Sequence, residues 1–171
     1  MERLSIDYHV GMSGERESTE PRGGVAFLLA QLGAHGAQLF AGRTAELDLT
    51  PAQAGLLRLL ASSPGRSQRE LADELGMPPS RFVPFADKLE ERGLIERRRN
   101  ASDRRLYALH LTDKGQDLFA ELREAGAAHE REMCQGLTPQ ERGLLVELLG
   151  RVARQQRLAP GVHPGYRSLR G

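Results

Sequence analysis

The amino-acid sequence predicts a mainly α-helical chain carrying one small β-hairpin, on three observations. A hydroxyl residue followed three positions later by Glu or Gln recurs at Thr50, Ser67 and Thr138. In that arrangement the hydroxyl accepts from an orphan backbone N–H and the longer side chain reaches back to the cap. Apolar residues recur at helical spacing after each of these starts. Residues 94–111 alone lose that rhythm and read as strands.

The elements follow in order. Residues 1–21 mix charge with Gly, Ser and Pro and lack apolar periodicity, so they read as a tail. A first helix covers about 22–43, with Val25, Leu28, Leu29, Leu32, Leu39 and Phe40 apolar. A second follows Thr50, with Pro51 at the first helical position and Ala54, Leu57, Leu59 and Leu60 behind it. The third, Ser67 to Leu75, buries Leu71, Ala72 and Leu75, and Gly76 ends it by taking the left-handed conformation. The fourth runs from Pro79 to about Arg92, with Phe82, Val83, Phe85, Ala86 and Leu89 on its apolar side and Gly93 beyond. Pro84 falls inside it and deletes a backbone donor; a later start, with Ser80 as the cap, would bring Pro84 towards the first turn.

Leu94–Arg99 and Leu106–Leu111 then read as strands, the second with Tyr107, Leu109 and Leu111 on one face. Asn100–Asp103 supplies the turn between them. Thr112 caps a fifth helix that runs towards Cys134, and a sixth runs from Pro139 to about Arg157. A Pro/Gly cluster opens an irregular tail over 159–171, leaving one domain over 22–158.

Composition narrows the function. The 171 residues can bury a core of their own. Cys134 is the single cysteine, which excludes an internal disulfide and a four-cysteine metal site and fits a reducing cytosol. His9, His35, His110, His129 and His163 do not fall at metal-ligand spacing, so no metal or cofactor is expected. Apolar stretches such as Val25–Ala30 are too short to span a bilayer, and the first residues lack the apolar stretch of a secretory signal; a cytoplasmic protein is expected. Gly11–Gly14 and Gly23–Gly24 lack the strand-to-helix setting of a phosphate loop, and no acid–base or nucleophile constellation stands out, so the chain does not read as an enzyme.

The formal net charge is +1, yet between Arg81 and Arg105 eight basic residues face five acidic ones, a local +3. Two short helices joined through Gly76 and followed at once by a basic hairpin make a winged helix-turn-helix, with the helix pair over about 67–92 and the wing over about 94–111. A helix fits the major groove of DNA, and a basic hairpin lies along the backbone or enters the minor groove. Lys88, Arg97, Arg99, Arg104 and Arg105 are the candidate phosphate and groove contacts.

Leu49–Gln53, Ser67–Ala72, Leu89–Arg97, Asp103–Arg105 and Leu111–Gly115, in this order and spacing, resemble the MarR family of bacterial regulators over about residues 22–157. The resemblance implies a homodimer whose N- and C-terminal helices, here about 22–43 and 113–157, interdigitate so that two DNA-binding lobes face successive major grooves of a pseudo-palindrome. It implies that Ser80 and Arg81 open the recognition helix. It also implies that Asp103 orients Arg105 at the wing tip for the minor groove. Many members are repressors released by small aromatic anions. The chain departs from the family pattern at Pro84, where related proteins often carry a polar or basic residue.

Phe82 and Phe85 read as core rather than as wedges into DNA, and Cys134 as a packed helix residue rather than a redox switch. His35 and His129 are candidate residues for an effector pocket. A ligand-responsive repressor is the first reading. A winged-helix module that binds a small molecule or a protein, with weak DNA affinity, is the alternative, motivated by Pro84 and the near-neutral net charge.

Overall fold

Local capping chemistry sets the helix boundaries. The structure, a computed structural model, describes residues 23–99 and 107–161. Its elements are α1 (Val25–Glu46), α2 (Pro51–Ser62), β1 (Arg66–Ser67), α3 (Gln68–Leu75), α4 (Pro79–Glu91), β2 (Ile95–Arg99), β3 (Tyr107–Leu111), α5 (Asp113–Met133) and α6 (Pro139–Gln155). Thr50, Ser67 and Thr138 each close a reciprocal capping box, with Gln53, Glu70 and Glu141 respectively. At Ser67 the hydroxyl accepts from the Glu70 N–H at 3.2 Å and the Glu70 carboxylate accepts from the Ser67 N–H at 2.8 Å. Gly76 ends α3 at φ 64°, ψ 28°, the left-handed cap expected of it.

Ser67→Ala therefore costs about 1 kcal/mol of unfolding free energy, read by urea denaturation. The Ser67 backbone N–H, and after it the Ser67 hydroxyl, holds the Glu70 carboxyl below its ordinary range. A carboxyl lowered in the folded state adds stability above its unfolded pKa, and that stability is lost as pH falls through the folded value. Glu70→Gln is accordingly expected to lose less of its urea midpoint than the wild type between about pH 7 and about pH 3.

The core forms where α2, α3, α4 and the sheet meet. Leu56, Leu57, Leu60, Leu71, Leu75, Phe82, Leu89, Leu94, Ile95 and Leu109 are fully buried there, and Leu122 of α5 packs against the same cluster. On α4 the buried positions Phe82, Ala86 and Leu89 follow helical spacing, with Phe85 partly buried beside them. Val83, placed on the apolar side by the sequence, is instead exposed, because it sits about a quarter-turn from that stripe.

The sheet departs from a simple hairpin. It has three antiparallel strands in the order β1-β3-β2, with Arg66 opposite Leu109 and Ser67 opposite Ala108. β1 is only two residues long, too short for any alternation to reveal it. As the middle strand, β3 has contacts with α2, α3 and α5. Ala108 and Leu109 are thus both buried while Tyr107 is half exposed, and the expected face of Tyr107, Leu109 and Leu111 does not hold.

α5 begins where α4 and the wing meet. The Thr112 hydroxyl donates to the Gly93 carbonyl at 2.6 Å and accepts from the Gly115 N–H at 3.0 Å. Lys114 donates to the Arg92 carbonyl at 2.8 Å. α6 buries none of its residues within the chain, and Leu144, Val146, Leu148 and Val152 are exposed. Val25, Phe27 and Leu32 on α1 are exposed as well. Taken whole, α1 is long and apolar enough to cross a membrane by length and composition. Gly, Ala, Gln and His separate its bulky residues without adding charge, so its unbroken apolar stretches remain as short as Val25–Ala30.

Candidate nucleic-acid interface and cavities

The turn through Gly76 and buried Met77 delivers the chain to Pro78, which caps α4 with Pro79 at the first helical position. Ser80 is therefore the second helical residue and not the cap, because the helix starts at Pro79, two residues before the start that a Ser80 cap would set. Pro84 lies in the helix interior and is exposed. It leaves the Ser80 carbonyl without its usual i+4 donor, since proline has no N–H.

Ser80, Arg81 and Lys88 are all exposed. Arg81, Pro84 and Lys88 stand three and four residues apart and so share one solvent face of α4. The structure thus brings the candidates Ser80, Arg81 and Lys88 together on the recognition helix, with the proline between the two cations.

The arginines of β2 have separate destinations. The Arg97 side chain is only 19% exposed, and its guanidinium is shared between Asp87 and Glu90 of α4. It ties the wing to the recognition helix, a structural role that the sequence reading did not give it. Arg98 pairs with Glu96 on the other face of the strand. Arg92 grips the loop before α2, donating to the Asp48 carbonyl at 2.6 Å and pairing with its carboxylate at 3.2 Å. Arg99 is exposed at the end of β2. Asp103, Arg104 and Arg105 lie outside the described residues.

His129 stacks obliquely on Phe40 of α1, ring centroids 5.6 Å apart, while His35 is exposed. Neither is among the residues that line the two cavities flanking α5. The smaller cavity, about 190 Å³, lies between α1, α2 and α5, with Phe40, Phe119 and Leu122 on its apolar walls and Arg58 and Arg123 among its lining. The larger is a cleft of about 480 Å³ between α2, the sheet and α5, with Arg98, His110, Gln116 and Arg123 in its lining. The sequence reading missed these residues. The one signal available was the spacing of Gln116, Phe119, Ala120 and Arg123, which places them on one face of α5.

Cys134 is the C-cap of α5, partly buried, with its sulfur 3.6 Å from a Glu130 carboxylate oxygen. Partial burial, and next the Glu130 charge, push its thiol up, away from the reactive thiolate. Among the described residues no group of three His, Cys, Asp or Glu side chains could hold a metal ion.

The chain matches the model of the MarR family over residues 47–106. It is 37% identical over 112 residues to a transcriptional regulatory protein for the hcr operon of Thauera aromatica, a match covering 66% of this chain and 68% of that protein. Its fold is similar to that of the transcriptional repressor CouR bound to a 23-mer DNA duplex, with a TM-score of 0.67 and 37% identity, covering 75% of this chain and 92% of CouR. CouR bound to p-coumaroyl-CoA is similar at a TM-score of 0.64 and 35% identity, covering 76% of this chain and 91% of that one. A capped helix pair and basic wing on this scaffold, with a relative of this identity and extent, make the chain a member of the MarR family of transcriptional regulators.

Proposed function

We propose that this regulator is a homodimeric, cytoplasmic repressor that holds a pseudo-palindromic operator and is released from it by a small aromatic effector. The observation that carries the reading is the exposed Ser80–Arg81–Lys88 face of α4 beside the basic strand β2, on a scaffold 37% identical to a repressor solved on duplex DNA. The exposed apolar residues of α1 and α6 support the homodimer, because a second copy would cover them. The two cavities against α5, together with p-coumaroyl-CoA bound to CouR, support an aromatic effector.

The direct test is fluorescence anisotropy with the promoter region beside the protein's own gene against a scrambled duplex, at two salt concentrations. Preference for the promoter that survives moderate salt is the expected result. Equal, salt-sensitive affinity for both duplexes overturns the operator reading at that promoter. Joint replacement of Arg104 and Arg105 by alanine is expected to weaken binding and to flatten its log–log salt dependence by about one unit per lost phosphate contact. An unchanged slope removes the wing tip from the interface.

Pro84 favours a second reading, a winged-helix module with weak DNA affinity and a small-molecule or protein partner. It interrupts the cationic face of α4 between Arg81 and Lys88. On that reading Pro84→Arg strengthens duplex binding about tenfold, by restoring a donor and a charge at an exposed site. No gain shows that Pro84 is not what limits affinity.

A further inference from the structure

The first two turns of α4 present an apolar surface to solvent. Pro79, Val83 and Pro84 are all exposed, Val83 at 42%. The stripe that holds the helix to the core, Phe82, Ala86 and Leu89, runs along its other side. Pro79 and Val83 stand four residues apart and line one wall of an open groove against α3. Pro84 lies one turn beyond Ser80, between the exposed cations Arg81 and Lys88.

Charge says which end of the helix meets a polyanion. No carboxylate falls between Pro79 and Ala86, while Asp87, Glu90 and Glu91 gather at the C-terminal end. Arg97 engages two of those three, Asp87 and Glu90. The N-terminal half of α4, with Arg81 on it, is therefore the half that approaches duplex DNA without repulsion. It is also the half of a recognition helix that meets the base edges.

We propose that Val83 and Pro84 read thymine, by packing against its 5-methyl group in the major groove, with Arg81 on a guanine nearby. This rests on the repressor reading above and gives the half-site a chemical content. Neither side chain can donate or accept a hydrogen bond. Set against the major-groove edge of guanine, adenine or cytosine, each would displace water from donors and acceptors and leave them unpaired. Thymine alone offers a carbon surface there, so the same two residues favour it and penalise the other three bases. Arg81 has the fork that matches the O6 and N7 of guanine. Three residues advance about 4.5 Å along a helix against about 3.4 Å per base pair, which sets the guanine within about two base pairs of the thymine. Pro84 is on this account a reader of sequence, where the weak-affinity reading makes it a lost contact.

The test is selection of duplexes from a random-sequence library with the full chain, then fluorescence anisotropy on the selected duplex and on copies in which deoxyuridine replaces thymidine one position at a time. That replacement removes the methyl group and keeps the pairing edge and the O4 acceptor. The wild type is expected to lose about fourfold in affinity at each thymine whose methyl it covers. At those positions the Val83→Ser and Pro84→Ser double variant is expected to bind the thymine and uracil duplexes alike, with the affinity that the wild type has for the uracil form. A substitution that only disturbed the helix would weaken both duplexes together and keep their ratio. The deoxyuridine series on the wild type stands by itself if the double variant fails to fold, which circular dichroism reads. If no deoxyuridine replacement weakens wild-type binding, or if the folded double variant keeps the wild-type ratio, the thymine assignment fails while the operator reading stands. If the selection enriches no duplex, both fail.

Discussion

Gly115→Ala is expected to lower the unfolding free energy by about 3 kcal/mol, the upper end of what overpacking a close-packed site costs. Gly115 is buried in the first turn of α5, and a Cβ built on it would stand 1.9 Å from the Leu94 carbonyl oxygen and 3.0 Å from the Leu94 carbonyl carbon. Both are backbone atoms, so no rotamer change relieves the clash. The carbonyl is also engaged, accepting from the Thr112 N–H at 3.2 Å. Relief requires moving either the start of β2 or the first turn of α5, and with it the junction that joins wing, recognition helix and α5. Gly126→Ala is the control in the same helix. A Cβ there meets nothing within 4 Å, so the substitution is expected to stabilise by about 0.5–1 kcal/mol through helix propensity alone. Urea denaturation of the two variants against wild type decides it, and a Gly115→Ala midpoint at or above that of the wild type would show that the junction is loose.

Leu144→Glu together with Leu148→Glu is expected to convert the protein to a folded monomer and to weaken operator binding about a hundredfold or more. The two side chains are 56% and 44% exposed on α6, so within one chain the charges remain in water and cost little. At a seam between copies the same carboxylates would be buried without partners, at several kcal/mol each. A helix that buries none of its residues yet carries Leu144, Leu145, Leu148, Leu149 and Val152 needs a covering surface. On the proposed homodimer, DNA affinity would fall with dissociation, because a linked pair of lobes would hold two half-sites on one duplex. Sedimentation velocity and circular dichroism separate the outcomes. A double variant that sediments as the wild type does places the dimer seam elsewhere. One that loses its helical signal assigns these leucines to the internal core.

The features legible in the sequence were those whose physics is local. A capping box needs a hydroxyl and a carboxylate or amide three residues apart, and Thr50, Ser67 and Thr138 each form one where the spacing put it. Gly76 adopts the left-handed conformation because the end of α3 requires it and glycine permits it at no steric cost. Periodicity alone placed Leu71, Ala72, Leu75, Phe82 and Leu89 in the core. The winged helix-turn-helix followed from these local signals in order, and the family from the resemblance of five short segments in their order and spacing.

What only the tertiary structure decided are the relations between elements distant along the chain. The pairing of β1 with β3 joins two residues to a strand about forty positions away, and a two-residue strand carries no period. Arg97 read as a DNA contact because its sequence neighbours are arginines. Folding sets it against Asp87 and Glu90, whose charges attract it more strongly at contact than water screens. The cleft formed by Arg98, His110 and Arg123 exists only once a wing strand and α5 lie side by side. The sequence by itself determined which segments are helix, turn and strand, because those choices depend on neighbours within a few residues. Among the described residues the tertiary structure decided which arginines stay exposed, which brace the fold and which line a cleft, because each depends on neighbours that only packing brings near.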